Sequence, residues 1–209
     1  MIKAIKAGLL LCLTIQLTSC MEFDESTIVV DDNGRVHHTQ HYLRDKRGRD
    51  YFPQTIKPMS QKLFIFDPRA HAWAAYDETG QRLMTGSASG GKAFCEDVGE
   101  KCLTAVGTFH VYLKGKHNCR SGEYPVDTRG GAKMPYCMFF YRGFTIHAAY
   151  EVPDQNTSHG CVRVLPSAAK WLNEEFMTVG TKVIVMDYPT EEMYPPEPEK
   201  NETVETANA

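Results

Sequence analysis

The sequence predicts a mainly β domain with one or two packed helices. Three observations predict it. Short apolar runs recur between turns rich in Gly, Pro and Asp. One segment, GTFHVYL, alternates apolar and polar residues with the period of a half-buried strand. Only one stretch, behind Pro166, carries apolar residues at four-residue spacing.

Taken in order, KLFIFD is a short apolar strand that ends at the Asp67-Pro68 turn. AWAAYD follows and closes on DETG, and QRLMTGSAS ends at Gly90-Gly91, so the three form an antiparallel meander. GTFHVYL sets Phe109, Val111 and Leu113 against His110, Tyr112 and Lys114, which predicts a single strand with one buried face. YCMFFYRGFTIHA reads as a hairpin turning at Arg142-Gly143. A helix is expected over Ser167 to Phe176, with Ala168, Leu172 and Phe176 as its core stripe. KVIVMD is the last strand.

The flanks differ in composition. MIKAIKAGLLLCLTIQLTSC has a positive start at Lys3 and Lys6, an apolar stretch and small residues, the layout of a secretory signal. Its apolar stretch falls short of the roughly 20 residues that a membrane-spanning helix needs. Leu17-Thr18-Ser19-Cys20 resembles a bacterial lipobox, which implies cleavage before Cys20, lipid on that cysteine and a membrane anchor. Met21, where an Asp favours inner-membrane retention, points to the periplasmic face of the outer membrane. Residues 1–19 are thus expected to be signal, 20–57 a lipidated polar tether with at most a short strand at Ile28–Val30, 58–187 the folded domain, and 188–209 a disordered Pro- and Glu-rich tail. His37, His38 and His41 read as part of the tether, because no acidic or thiol partner stands at ligand spacing. The net charge of −3 is spread without a basic stripe, which argues against a nucleic-acid partner.

The chain has seven cysteines. Cys12 lies in the signal and Cys20 at the lipid site, leaving Cys95, Cys102, Cys119, Cys137 and Cys161. An oxidising periplasm pairs thiols, and an odd set leaves one over. Four structural cysteines allow three connectivities. The local pairing, Cys95–Cys102 with Cys119–Cys137, is preferred because each bridge closes a short loop. No Cys-x-x-Cys or paired His spacing suggests zinc, so no metal is expected.

The remaining thiol stands in NTSHGCVRV. An attacking Cys needs a base, and His159 and His147 are the candidates. A thiolate–imidazolium pair would make Cys161 more reactive than an ordinary cysteine. Gly160 lets the backbone come close to substrate, and the consecutive N–H groups of Gly160 and Cys161 are candidates to face an oxyanion. If CVRV is extended, Cys161 and Arg163 share one face, placing a cation beside the nucleophile.

IHAAYEVPDQNTSHGCVRV resembles the active-site signature of L,D-transpeptidases with a YkuD-type catalytic domain. KLFIFD, TAVGTFHVYLK, MPYCMFF and GTKVIV resemble further landmarks of that family, so the likeness covers about residues 60–187. The resemblance implies a β-sandwich-like catalytic domain, Cys161 as nucleophile and His147 as base, with the imidazole oriented by the carbonyl of Ala148, where many members have Gly. It implies that Ser158, His159 and Gly160 shape the pocket and oxyanion site, and that Arg163 and Tyr136 meet the substrate. FCEDVGEKC and GKHNCRSGEYPVDTRGG are less typical, and are expected to form a disulfide-braced rim over the cleft. The implied reaction is acyl transfer from a diaminopimelate-containing peptidoglycan stem to a second stem or to a protein amine, with no cofactor. The alternatives are a peptidase of the same fold and a non-catalytic wall-binding lipoprotein.

Overall fold

In the structure, a computed structural model describing residues 28–30, 36–38, 48 and 51–193, short extended segments dominate. Strands β1 (Ile28–Val30) and β2 (Val36–His38) pair with each other as a separate antiparallel ribbon, so the tether carries a second strand beyond the one expected. Nine strands make the main sheet: β3 (Leu63–Asp67), β4 (Ala72–Tyr76), β5 (Arg82–Ser89), β6 (Gly107–His110), β7 (Leu113–Lys114), β8 (Met138–Tyr141), β9 (Phe144–Ala148), β10 (Val162–Val164) and β11 (Lys182–Val185). Their order is β6-β11-β3-β4-β5-β10-β9-β8-β7. Helix α1 (Pro166–Trp171) continues through a π-helical turn at Leu172–Phe176, and a short helix α2 (Thr190–Met193) ends the described chain. The lipid-site cysteine, Cys20, and the signal segment lie outside the described residues.

The meander β3–β4–β5 forms where the apolar runs place it. Behind Pro166, Ala168, Leu172 and Phe176 are all buried in the core with Phe66, Trp73, Ile146 and Val164. GTFHVYL departs from expectation. It breaks after His110, and the chain crosses from β6 at one edge of the sheet to β7 at the other. Leu113, assigned to the buried face, is 53% exposed. The sheet curls so far that its edges approach: Phe109 of β6 packs on Phe140 and Tyr141 of β8, with ring centres 5.5 and 4.9 Å apart. The crossing at Val111–Tyr112 bridges that gap.

The boundaries expected at 57/58 and 187/188 also shift. Strand β4, AWAAY, is buried at every position, so it needs cover on both faces. One face meets the helix-bearing core. The other packs with Phe52 (5% exposed), while Ile56 and Met59 lie against the same cluster. Tyr76 Oη donates to the Pro53 carbonyl at 2.9 Å. Folded structure therefore starts by Tyr51, within the expected tether. At the other end Tyr188 is 2% exposed, and Glu192 of α2 accepts a hydrogen bond from Asn156 Nδ2 at 3.0 Å. Residues 188–193 thus pack on the domain rather than belonging to a disordered tail, because the hydroxyl of Tyr188 accepts the otherwise buried N–H of Thr104 at 3.1 Å.

Candidate active site

Strand β10 lies between β5 and β9, antiparallel to the first and parallel to the second. The parallel register sets Arg163 beside His147 and Val162 beside Ile146. Register partners in adjacent strands point to the same face, and residues two apart share it. Cys161, Arg163 and His147 therefore face one way, while the fully buried Val162 and Val164 face the core. All three line a cavity of about 990 Å³, together with Ser158, His159, Ala148 and Tyr136. One wall is the loop from His117 to Tyr136, anchored by the Cys119–Cys137 disulfide. The other bridge is Cys95–Cys102, and Cys161 is the free cysteine of the described residues.

The His147 ring is fixed by one contact. Its Nδ1–H donates to the Ala148 carbonyl at 2.9 Å, which leaves the Nε2 lone pair as the basic site. Ala148 thus offers its carbonyl to the ring. Burial pushes the His147 imidazole down to about 4, against the Ala148 carbonyl, which favours the protonated ring, and with the nearby Arg163 charge. Burial also pushes the Cys161 thiol up, opposed by a hydrogen bond from the Thr145 backbone and by Arg163. Burial thus works against charge on both groups, and so against the expected thiolate–imidazolium pair. Desolvation weighs on Arg163 too, lowering it, against Cys161 and Glu151, whose ionised forms favour its charge.

The loop that carries the nucleophile is pinned from several sides. Asn156 donates through Nδ2 to the Pro68 carbonyl at 3.0 Å, and its Oδ1 accepts the Gly90 N–H at 3.0 Å. The Ser158 N–H donates to the Gly90 carbonyl at 2.9 Å. Ser158 Oγ accepts the Gly160 N–H at 3.0 Å and donates to the Cys161 carbonyl at 2.5 Å. The Gly160 N–H is thus spent inside the loop, contrary to the expectation that it would face an oxyanion. The Cys161 N–H makes no hydrogen bond among the described residues and remains the donor at that position. Gly160 is required for another reason: at φ +117° a side chain is strained, and a Cβ would stand 2.6 Å from Phe144 Cε1.

His159 sits on the cavity wall, its Nε2 2.7 Å from Asp97 Oδ2 and its ring 4.7 Å from that of Tyr124. The His159 hydrogen bond holds the Asp97 carboxyl below its ordinary value. Asp97 lies in the loop closed by Cys95–Cys102, and Tyr124 in the opposite rim loop. Sequence reasoning expected a rim there but named neither residue, because nothing local marks a pairing 62 positions apart. Cys95, Asp97 and His159 lie close enough to suggest a metal site. The Cys95 sulfur is bonded to Cys102, however, which leaves two donors, too few for a structural zinc site. Tyr136 adopts φ 57° on the cavity wall, where its N–H is tied to the Lys116 carbonyl at 3.0 Å.

The L,D-transpeptidase catalytic domain (YkuD) family matches residues 61–185, well over half of the chain. Among solved structures the chain is similar to an L,D-transpeptidase from Xylanimonas cellulosilytica, at 26% identity and TM-score 0.54, covering 66% of this chain and 67% of that one. It is similar to one from Mycobacterium smegmatis at 26% identity and TM-score 0.50, covering 61% and 59%. A third, from Stackebrandtia nassauensis, shares the fold at 20% identity and TM-score 0.51, covering 66% and 62%. The chain thus spans roughly three-fifths to two-thirds of the length of those proteins. No curated protein matches it. Matched along the whole stretch from β3 to β11, and folded as those enzymes are, the chain belongs to the L,D-transpeptidase catalytic domain family.

Proposed function

We propose that the protein is a peptidoglycan L,D-transpeptidase that works through a Cys161 acyl-enzyme. The observation that carries this reading is the shared placement of the free thiol of Cys161, the oriented His147 and the cationic Arg163 on one face at one cavity. His147 Nε2 takes the thiol proton as the sulfur attacks the carbonyl of residue three of a tetrapeptide stem, at the L-centre of its diaminopimelate. The Cys161 N–H donates to the oxyanion, an interaction worth about 3 kcal/mol in comparable sites. The imidazolium returns its proton to the departing D-Ala amine. An amine then attacks the thioester and Cys161 leaves. Arg163, held in a poorly solvated place, attracts a carboxylate of the stem.

The sequence supports a lipid anchor at Cys20, and with it a periplasmic location at the outer membrane. Such an anchor would hold the domain near the wall. Purified enzyme incubated with disaccharide-tetrapeptide should yield cross-linked dimers by mass spectrometry. Tripeptide product alone would replace this reading with a peptidase, and unchanged substrate with a wall-binding protein.

A further inference from the structure

The acceptor amine arrives as an ammonium ion and must lose a proton before it can attack. Two protons must leave that nitrogen, and His147, 7% exposed with its Nδ1–H committed to Ala148, has one basic site, which is needed to return a proton to the departing Cys161 sulfur. The cavity holds a second imidazole. His159 stands two residues before the nucleophile, on the wall of the same cavity, and its side chain is 29% exposed. Its Nε2 meets a carboxylate that is ionised, so the proton sits on Nε2 and the Nδ1 lone pair is the basic site. Nδ1 makes no hydrogen bond among the described residues.

We propose that Asp97 and His159 form a carboxylate–imidazole pair that takes the proton from the incoming amine, His159 as the base and Asp97 as the positioning residue. This rests on the transpeptidase reading of the site. The acceptor ammonium gives one proton to His159 Nδ1, and its freed lone pair forms the C–N bond at the thioester carbonyl. As the C–S bond breaks, the remaining excess proton on nitrogen passes through His147 to the Cys161 sulfur. The products are the amide, the thiol and an imidazolium at His159, hydrogen-bonded to Asp97, which sheds its proton to water.

The surrounding structure fixes the pair. The neighbouring cation, Lys92, is engaged by Glu96 at 2.5 Å, which leaves Asp97 to His159. Gly91 pairs with Ser158, and a Cβ on Gly91 would stand 1.7 Å from the Cys102 carbonyl and 2.9 Å from Gly160 Cα. The disulfide-closed loop that carries Asp97 is therefore packed directly on the backbone of the nucleophile segment. Tyr124 holds the ring from the opposite rim.

The test separates the half-reactions. With tetrapeptide stem in single turnover, D-Ala release reads acylation. Decay of the acyl-enzyme by intact mass, after a second stem is added, reads aminolysis. A general base typically contributes about 100-fold or more, so His159→Ala should slow aminolysis by about that factor and at least about tenfold more than acylation. Asp97→Ala should do the same to a smaller degree. Asp97→Asn, which still accepts from Nε2–H, should recover part of the loss, and added imidazole should speed aminolysis in His159→Ala. Equal slowing of both half-reactions, or no slowing of either, overturns the proposal. If the wild-type enzyme forms an acyl-enzyme and the variants show either result, the pair alone is condemned. A wild-type enzyme that forms no acyl-enzyme condemns the transpeptidase reading, and the pair with it.

Discussion

Acid should destabilise this domain through His147. In the folded protein the ring is buried and its proton affinity falls to about 4, whereas in the unfolded chain it stays near 6.5. Between those values the unfolded chain binds the proton that the folded site refuses, so stability rises with pH across the window. The stability is complete above about 6.5 and is lost as pH falls toward 4. At 1.36 kcal/mol per pH unit, the shift amounts to roughly 3 kcal/mol, a large share of the stability of a domain this size. His147→Gln removes the titrating group and keeps an N–H that can reach the Ala148 carbonyl. Denaturant unfolding of both proteins at pH 7 and pH 4 gives the quantity of interest, the difference between their losses. The wild type should lose about 3 kcal/mol more than the variant. The other histidines and carboxylates titrate in both proteins and cancel in the difference. Equal losses would show that His147 is not held neutral by burial. A companion reading comes from Cys161. Since burial raises its thiol, the thiolate absorbance of the free enzyme should be absent at neutral pH and appear only in alkali.

Cys161→Ala should abolish the covalent carbapenem adduct expected of the family, read by intact mass; an adduct that survives would remove Cys161 from the mechanism. Denatured, unreduced protein that starts after Cys20 should titrate with one thiol, because both bridges hold the other four cysteines. A count of three or more would reject that framework. Gly160→Ala should cost about 1–3 kcal/mol from the backbone alone, and should lower acylation more than substrate affinity as Phe144 is pushed aside. Adding Phe144→Ala should relieve only the steric part. Cys20→Ala should abolish lipid labelling and membrane fractionation while the soluble activity persists; normal fractionation would defeat the anchor.

Much of the site was legible because its logic is local. A period of two places Cys161 and Arg163 on one face whatever surrounds them, and the stripe of Ala168, Leu172 and Phe176 needs only a helix to become a core face. What escaped was set by contacts between distant segments. GTFHVYL keeps its alternation through Leu113, yet the chain changes sheet edge at Val111–Tyr112, and no periodicity records which edge a strand joins. Phe52 looks like tether until AWAAY proves buried on both faces and demands a cover. Gly160 and Cys161 offer consecutive N–H groups on paper, but Ser158 takes one of them through a turn that depends on φ +117° at Gly160. Asp97 reaches His159 only because a disulfide loop folds over the nucleophile segment.

The position of Cys161 immediately before β10, rather than within it, ties these observations together. A residue inside the strand would spend its N–H on a neighbouring strand. One residue earlier, the backbone leaves the sheet, and the Cys161 N–H is left for an oxyanion while its side chain still points with Arg163 and His147. The cost is that a loop end is softer than a strand, and the structure answers this by pinning the loop. Asn156 ties it to the Pro68 turn, to Gly90 and to Glu192, Ser158 closes the turn around Gly160, and Asp97 and Tyr124 hold His159 from two sides. Residues 188–193 lie outside the family match yet supply one of these ties, through Glu192. A nucleophile at a loop end can be preorganised only to the extent that such distant ties hold, so substitutions at Asn156 or Glu192, which contact no substrate, should appear first in the rate of acylation and only later in substrate affinity.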